Sequence, residues 1–400
     1  MMKKVLIISD LKSERISTSV LRLYDFAWFL SKDNLVYLFI PNKNKILSLS
    51  ENIKLIEDDV EQLKEAYKES DVLIGNGLIY EKYDFIECDK IPIIYDGYDP
   101  FVLEKLNEDS SKTNRDILEK IIVRSDYFLC ASETQKNYWI GMLSVYNRVN
   151  PIIYREDNKL KNLIDVVGVK YSAKDILNHD LENYVLCELD EDTNIEMVID
   201  CFINLKDIDL NIICRNDKNL DRIYNDIKND INSLGYENIF ITRYEHEDVR
   251  FKYICCAKII LNICKDTLKS RFKPKDSLRD YLEYKKLIIC TPFNYLPDNL
   301  KVKKAIVILN EVNSEDLHEI TCELINNDNL YNEYIFNLDV FLKTQEDYLL
   351  KLDDIVNNAK ISIDKNYLNH KEGLNKKNLK SNFVFLKNMI QKGISMIFKG

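Results

Sequence analysis

Short runs of consecutive apolar residues alternate along this chain with segments whose apolar positions recur every three or four residues. An uninterrupted apolar run is typical of a strand buried on both faces of a parallel sheet, and the wider spacing is typical of a helix that covers such a sheet. The pattern predicts strands at residues 4–9, 35–40, 71–74, 91–95, 127–131, 183–187, 210–214, 239–242, 258–263, 287–290 and 305–309. It predicts helices at 19–30, 58–69, 115–124, 133–143, 194–205, 220–234, 247–256, 277–284 and 314–325, and a long helical stretch over 329–359.

The alternation of strand-like and helix-like segments is interrupted between Tyr146 and Asp180 by Pro151, Gly168 and several charged residues, and it resumes afterwards. A chain of 400 residues is also longer than one ordinary domain. We therefore predict an α/β protein with two Rossmann-like, doubly wound domains, at 1–165 and 175–345, followed by C-terminal helices in 346–400. Ligands of such sheets bind at the carboxyl ends of the strands, so two facing domains predict a cleft in which two substrates meet.

Composition and charge narrow the possible partners. Lys and Arg number 56 against 66 Asp and Glu, which gives a formal net charge of −10. This balance is a poor match to a polyphosphate backbone and predicts no nucleic-acid binding. Hydrophobic residues make up 46% of the chain, which excludes wholesale disorder.

Cysteine and histidine spacing predicts neither disulfides nor a metal site. The ten cysteines contain no Cys-x-x-Cys pair, and the four histidines, at positions 179, 246, 318 and 370, are far apart. Reduced thiols in a cytoplasmic protein are the simplest interpretation. The first apolar run, Val5 to Ile8, is far shorter than the core of a signal peptide.

The last thirty residues differ from the rest of the chain. Residues 371–400 hold seven Lys and one Glu, a net charge of +6. The segment 380–400 has apolar residues at helical spacing and lysines between them, which predicts a basic amphipathic helix. It is expected either to contact the inner membrane surface peripherally or to pack on the protein itself or on a partner. The apolar positions are Leu386, Met389, Ile390, Ile394 and Ile397.

Three segments carry a resemblance to a known family. The segment 125–143, SDYFLCASETQKNYWIGML, closely resembles family-4-type bacterial glycosyltransferases of the GT-B fold, in which a strand ending in Ala-Ser-Glu leads into a helix with Trp-x-Gly-Met-Leu. Residues 95–100, YDGYDP, resemble the Asp-x-Tyr-Asp-Pro of the same proteins, and Arg22 stands where they often carry Gly-x-x-x-Arg. Residues 268–291 resemble their donor region. The resemblance spans about residues 3–293 and implies an acceptor-side first domain and a nucleotide-sugar-binding second domain.

Several positions depart from the family's pattern. Lys269 stands near the start of the donor loop, where a carboxylate is usual. Residues 187–190 and 17–19 replace glycine-rich loops, and residues 284–287 replace a Gly-Pro-type turn. Glycine lets a backbone approach a phosphate closely, and this chain has nine glycines in all. The departures predict fewer places where a diphosphate can approach the backbone.

The resemblance and simple electrostatics assign the candidate site residues. Cations near a departing diphosphate stabilise the charge that develops there, and a carboxylate can accept hydrogen bonds from both ribose hydroxyls. The donor-binding candidates are Arg271, Lys273, Lys275 and, for the ribose, Asp280. The acceptor-side candidates are Arg22, Asp96, Asp99 and Glu133. For Asp280, a helix-end carboxylate that favours the helix dipole is an equal alternative.

The resemblance also implies chemistry. Such enzymes retain the anomeric configuration and commonly use no protein nucleophile, because the departing phosphate itself takes the proton of the acceptor. We therefore assign no catalytic residue and expect no metal cofactor, the nucleotide-sugar being a substrate. Trp139 and Met142 fall on the apolar face of their helix and are expected in the core.

One competing motif lies in the second half. The predicted strand ending at Leu189 runs into Asp190-Glu191-Asp192, which matches the Asp-x-Asp metal-diphosphate motif of the other large transferase fold, GT-A. In a chain with 66 acidic residues this spacing is common by chance. The motif also follows several complete β/α units, whereas a GT-A sheet would begin near its own N-terminus. We therefore keep the GT-B interpretation.

Two functions remain open from the sequence. The first is a glycosyltransferase that moves a sugar from a nucleotide-sugar donor to a cell-surface glycan, lipid-linked or protein acceptor. The second is a catalytically degenerate GT-B-fold partner subunit that binds an acceptor or an active transferase. The matches at 131–135 and at Asp280 favour the first; the missing glycines and Lys269 favour the second.

Overall fold

Two separate β-sheets, both wholly parallel, organise the chain in this computed structural model. The structure describes residues 2–362 except 10–16, 41–49, 57–58, 88–89, 105–110, 175–180, 274, 294–295, 297–299, 301 and 345–346. The predicted amphipathic helix at 380–400 therefore lies outside the described residues. The α/β class and the doubly wound arrangement are confirmed.

The first sheet has seven strands in the order β3-β2-β1-β4-β5-β6-β7. They are β1 (Lys4–Ile8), β2 (Leu35–Phe39), β3 (Ile53–Leu55), β4 (Val72–Gly75), β5 (Ile93–Asp96), β6 (Tyr127–Cys130) and β7 (Ile164–Val166). Helices cover both faces: α1 (Thr18–Leu30), α2 (Val60–Glu69), α3 (Ile79–Lys82), α4 (Phe101–Glu104), α5 (Ser111–Arg124), α6 (Glu133–Val145) and α7 (Pro151–Glu156).

The two edge strands of this sheet were not predicted. β3 and β7 are three residues long, and each has a charged residue between two apolar ones, Lys54 and Asp165. An edge strand has a partner on one side only and is less covered, so the continuous apolar run of a central strand is absent. The stretch 146–180, where the alternation is interrupted, contains α7 and β7, and β7 completes the first sheet beside β6.

The second sheet has six strands in the order β10-β9-β8-β11-β12-β13. They are β8 (Glu182–Leu189), β9 (Asp209–Arg215), β10 (Ile239–Tyr244), β11 (Ala257–Asn262), β12 (Leu287–Cys290) and β13 (Val307–Ile308). The helices around it are α8 (Ile195–Ile203), α9 (Asp221–Leu234), α10 (Glu247–Cys256), α11 (Leu268–Phe272), α12 (Ser277–Glu283), α13 (Ser314–Asn326) and α14 (Asp328–Lys343).

The last described helix, α15 (Asp347–Asn358), returns to the first sheet. Its Leu349, Leu352 and Val356 are buried in the same apolar cluster as residues of β1 and α1. The Lys3 ammonium donates to the carbonyl oxygens of Val356 and Asn357 at 2.8 and 2.9 Å. The chain therefore crosses from the first sheet to the second and back again.

The carboxyl edges of the two sheets face one another. The Thr18 amide, at the start of α1, donates to the Asp276 carboxylate at 3.1 Å. The Gln135 side chain, in α6, donates to the carbonyl of Phe272 at 2.9 Å. Further in, Arg279 pairs with Asp25 at 3.1 Å. Because α1 and α6 follow the carboxyl ends of β1 and β6, these contacts border a cleft between the two sets of strand ends.

Candidate functional site

A cavity of about 360 Å³ lies on the second sheet's side of this cleft. Its floor is formed by residues at the carboxyl ends of four strands, namely Glu188 and Leu189 of β8, Arg215 of β9, Tyr244 of β10 and Asn262 of β11. One wall is the turn after β8, and another is the segment that runs from α11 to the start of α12. This is the place where doubly wound sheets bind ligands.

The turn after β8 is held by side chains rather than by glycine. The Asp190 carboxylate accepts from the backbone amide of Asp192 at 2.9 Å and from the Thr193 hydroxyl at 2.8 Å. The Thr193 hydroxyl oxygen also accepts from the Asp190 amide at 3.0 Å. Aspartate side chains that bond two residues ahead stabilise tight turns in this way. The two acidic residues of the Asp-x-Asp motif therefore both line the cavity.

Three lysines form the opposite wall, and α11 positions them. A reciprocal capping box between Thr267 and Ser270 fixes the start of this short helix. Lys269 lies in its first turn, and Lys273 and Lys275 follow its end. All three line the cavity. The predicted donor residues Lys273 and Lys275 therefore line the same cavity as Lys269, and their role toward a donor stays a prediction.

Each of these lysines has a carboxylate partner. Lys269 Nζ lies 2.9 Å from Asp192, Lys275 Nζ lies 3.0 Å from Asp190, and Lys273 Nζ lies 3.5 Å from Asp99 across the cleft. Lys275 also donates to the Thr193 hydroxyl at 3.1 Å. Burial opposes the charge on Lys275, but the neighbouring groups, Asp190 first among them, together outweigh burial and raise the pKa of Lys275. The Lys275 ammonium therefore stays charged.

The formal charge of the cavity is negative. Six carboxylates line it, on Glu188, Asp190, Glu191, Asp192, Asp217 and Asp276. Four cationic side chains, on Arg215, Lys269, Lys273 and Lys275, offset them incompletely. A diphosphate that enters meets lysines already paired with carboxylates of the protein.

A buried cluster fixes Glu188 beneath the cavity. Its two carboxylate oxygens accept from Arg250 Nε at 2.7 Å and from Arg250 Nη2 at 2.9 Å. They also accept from the hydroxyls of Tyr244 at 2.7 Å and Tyr281 at 2.8 Å. Burial, with the neighbouring carboxylate, raises the pKa of Tyr281, so this phenol stays protonated and remains a donor.

The predicted ribose ligand Asp280 belongs to the same cluster. Its Oδ2 accepts from Arg250 Nη1 at 2.7 Å, and its Oδ1 lies 3.6 Å from Lys174 Nζ. It is not among the residues that line the cavity. The structure therefore gives Asp280 a partner inside the protein, and its role toward a ribose stays a prediction.

The predicted donor residue Arg271 lies at the margin of the site. Its guanidinium makes two hydrogen bonds of 2.7 Å to Asp266, and its side chain is 53% exposed. It does not line the cavity. Lys269 and Lys273 lie two positions before and after Arg271, and residues two apart on a helix do not share a face.

The acceptor-side candidates have three different environments. Arg22 and Asp96 form a buried pair, with Arg22 Nε 2.9 and 3.1 Å from the two carboxylate oxygens. Burial raises the pKa of Asp96 and the Arg22 guanidinium partly offsets this shift. Asp99 faces the cleft and pairs with Lys273. Glu133 is exposed in the first turn of α6, where a negative charge favours the helix dipole.

The Arg22 guanidinium makes contacts that hold the first domain together. It also donates to the carbonyl of Gly168 at 2.6 Å and lies 4.6 Å from the centroid of the Phe26 ring. It thereby ties α1 to β5 and to the chain that follows β7. Asp99 is the acceptor-side candidate that the structure brings to the donor-side lysines.

Sequence reasoning missed Arg250, Tyr281 and Gln135. Arg250 lies in α10 beside charged neighbours and looks like a surface residue, yet its side chain is fully buried. Gln135 falls inside the segment that carries the resemblance, and its amide bridges the carbonyls of Tyr98 and Phe272. The partners of both residues are distant in sequence, so no local pattern indicates them.

Within the described part of the chain, no group of three or more His, Cys, Asp or Glu residues has the arrangement of a metal site. No helix in that part is long and apolar enough to span a bilayer. Asp190 and Asp192 each contact a lysine instead.

Comparison with known proteins finds similar structures but no match by sequence. No family model matches the chain, and no curated protein matches it. Among solved structures, HepE from Anabaena in complex with UDP and glucose superposes with a TM-score of 0.61 at 11% identity, covering 90% of this chain and 100% of that one. Sucrose-phosphate synthase from Thermosynechococcus elongatus gives 0.56 at 10% identity, covering 89% and 98%.

A third similar structure is an α-glucosyltransferase in complex with UDP-glucose and DNA containing an abasic site. It gives a TM-score of 0.59 at 10% identity and covers 90% of this chain and 100% of that one. Because a DNA complex occurs among structures of this shape, the absence of nucleic-acid binding stays a prediction from charge. At these identities the likeness concerns the fold. The chain has the GT-B fold of known glycosyltransferases, as the sequence predicted.

Proposed function

We propose that this protein is a glycosyltransferase that binds a nucleotide-sugar in the cavity of the second sheet and transfers the sugar to an acceptor held at the edge of the first. The observation that carries the proposal is the cavity itself. It lies at the carboxyl ends of parallel strands, carries three lysines on one wall and is bordered by Asp99 of the facing sheet. The fold shared with UDP and UDP-glucose complexes supports the same assignment.

The lysines supply the electrostatics that such a transfer needs. As the bond between the anomeric carbon and the diphosphate oxygen breaks, negative charge grows on the departing diphosphate, and fixed cations lower the energy of that state. A new bond forms between the anomeric carbon and the acceptor oxygen, and the acceptor's proton passes to the departing phosphate. In this proposal the configuration is retained and no side chain acts as nucleophile.

The acceptor is proposed to be a hydroxyl of a cell-surface glycan, a lipid-linked intermediate or a protein. The net charge of +6 on residues 371–400 supports a peripheral location on the inner face of the membrane, where anionic lipids attract basic segments. A protein located there meets lipid-linked acceptors directly.

A second candidate function has its own supporting observation. A partner subunit that no longer turns over a donor needs no free cations, and carboxylates already pair with Lys269, Lys273 and Lys275. Glu188 also adds a fixed negative charge to the cavity floor. In this alternative the first sheet's edge binds an acceptor or an active transferase.

A panel of UDP- and GDP-sugars separates the two functions. We expect at least one donor to raise the melting temperature, because a ligand at 100 times its Kd stabilises a protein by about 2.7 kcal/mol. That donor should release nucleoside diphosphate in the presence of protein. Lys275→Met should lower both responses, whereas Arg222→Met, at an exposed position of α9 outside the cavity lining, serves as the charge-matched control. No shift and no release with any donor at millimolar concentration would favour the partner subunit.

A further inference from the structure

The two carboxylates of the Asp190-x-Asp192 turn contact the cations that a diphosphate would use. Asp190 lies 3.0 Å from Lys275 Nζ, and Asp192 lies 2.9 Å from Lys269 Nζ. Both lysines and both aspartates line the same cavity. The pairs join two walls, the turn after β8 and the segment from α11 to α12, so each spans the space between them.

In the Lys275 pair the carboxylate is the more exposed partner, since the Asp190 side chain is 41% exposed against 13% for Lys275. In the other pair both side chains are partly exposed, Asp192 at 23% and Lys269 at 35%. A partly exposed carboxylate regains water when it leaves a lysine, so the exchange of one anion for another costs little. A diphosphate carries more negative charge than one carboxylate, and it has several acceptor oxygens. Both properties favour the exchange.

We propose that Asp190 and Asp192 act as built-in competitors of the donor's diphosphate. They hold Lys275 and Lys269 in the ligand-free protein and lower its affinity for nucleotides until a donor displaces them. This inference rests on the proposed function, since it assigns a regulatory role to residues of the proposed donor site.

The proposal predicts that neutralising these carboxylates strengthens nucleotide binding. Asp190→Asn keeps an Oδ1 acceptor for the amide of Asp192 and the hydroxyl of Thr193, so the turn keeps its bonds. The double variant D190N/D192N should bind UDP or GDP at least about tenfold more tightly than the unchanged protein, because two charges near the phosphates are removed. Adding Lys275→Met should reverse most of this gain.

Isothermal titration with UDP and with GDP measures the effect. D226N/D230N is the matched control, because it removes two negative charges from exposed positions of α9, outside the cavity, and should leave the Kd unchanged. Tighter binding by D190N/D192N alone supports the inference, including the case where only that variant binds. If the unchanged protein binds as tightly as the double variant, or more tightly, the inference is overturned and the proposed function stays intact. Absence of binding by every protein overturns both.

Discussion

Replacing Arg250 with Met is the sharpest test of the buried cluster beneath the cavity. The Arg250 guanidinium has no exposed surface, and it bonds Glu188 at 2.7 and 2.9 Å and Asp280 at 2.7 Å. Methionine fills much of the same volume without charge. The variant therefore leaves two largely buried carboxylates, Glu188 at 10% exposure and Asp280 at 15%, without their shared cation.

The expected cost follows from that uncompensated charge. Removing one partner of a buried ion pair destabilises a protein by about 3–5 kcal/mol, because the remaining charge stays desolvated. Here two carboxylates lose the same partner, although Tyr244 and Tyr281 still donate to Glu188 and Lys174 remains near Asp280. We therefore expect R250M to lower the free energy of unfolding by about 3–5 kcal/mol.

Urea denaturation followed by far-ultraviolet circular dichroism measures this loss. Arg222→Met is the control, since its side chain is 92% exposed and its pair with Asp226 is 3.8 Å long. It should change stability by less than about 0.5 kcal/mol. Adding Glu188→Gln to R250M should recover part of the loss, because it removes one of the orphaned charges. A loss below about 1 kcal/mol in R250M would refute the reasoning, since a buried unpaired charge costs more than that.

Two further predictions concern the first sheet. Arg22→Met should lower stability by about 3–5 kcal/mol, measured by tryptophan fluorescence, because it leaves the buried Asp96 carboxylate without its cation. Lys4→Met, which breaks an exposed pair with Glu69, should leave stability nearly unchanged. Equal effects of the two variants would show that the buried Arg22 pair stabilises the fold no more than a surface pair does. Gly97→Ala should destabilise the protein by about 1–3 kcal/mol, because a Cβ there would lie 2.4–2.9 Å from atoms of the Trp139 ring. Gly141→Ala should stabilise it by about 1 kcal/mol, because Gly141 lies in helix α6 and an added Cβ would have no neighbour within 4 Å. If the melting temperatures of the two alanine variants shifted in the same direction, these two predictions would be contradicted.

Much of the fold could be predicted because central parallel strands, buried on both faces, consist of consecutive apolar residues. β4 and β12, and β1 from Val5 onward, are runs without a polar side chain, and the predicted bounds of all three strands lie within one residue of the observed ones. The edge strands β3 and β7 alternate in polarity and gave no such signal. The predicted domain boundaries, 1–165 and 175–345, stay predictions.

The site was harder to predict because its pairings join distant parts of the chain. The resemblance pointed to the lysines after α11, and Lys273 and Lys275 line the cavity, although their role toward a donor stays a prediction. The side chain of Arg271, however, bonds Asp266, five residues earlier, which directs it away. Asp190 and Asp192 looked like a chance motif, because nothing local indicates that Lys275 and Lys269 reach them.

Hydrogen–deuterium exchange with and without saturating UDP tests the central claim most directly. Backbone amides that a bound nucleotide orders exchange more slowly, and the rest of the chain reports whether the effect is local. The account predicts slower exchange at 188–193 and at 267–277, the two walls of the cavity, and no change in α9 at 221–234. Unchanged exchange at both walls, or slowing confined to segments outside the cleft, would contradict a nucleotide site at the carboxyl ends of the second sheet.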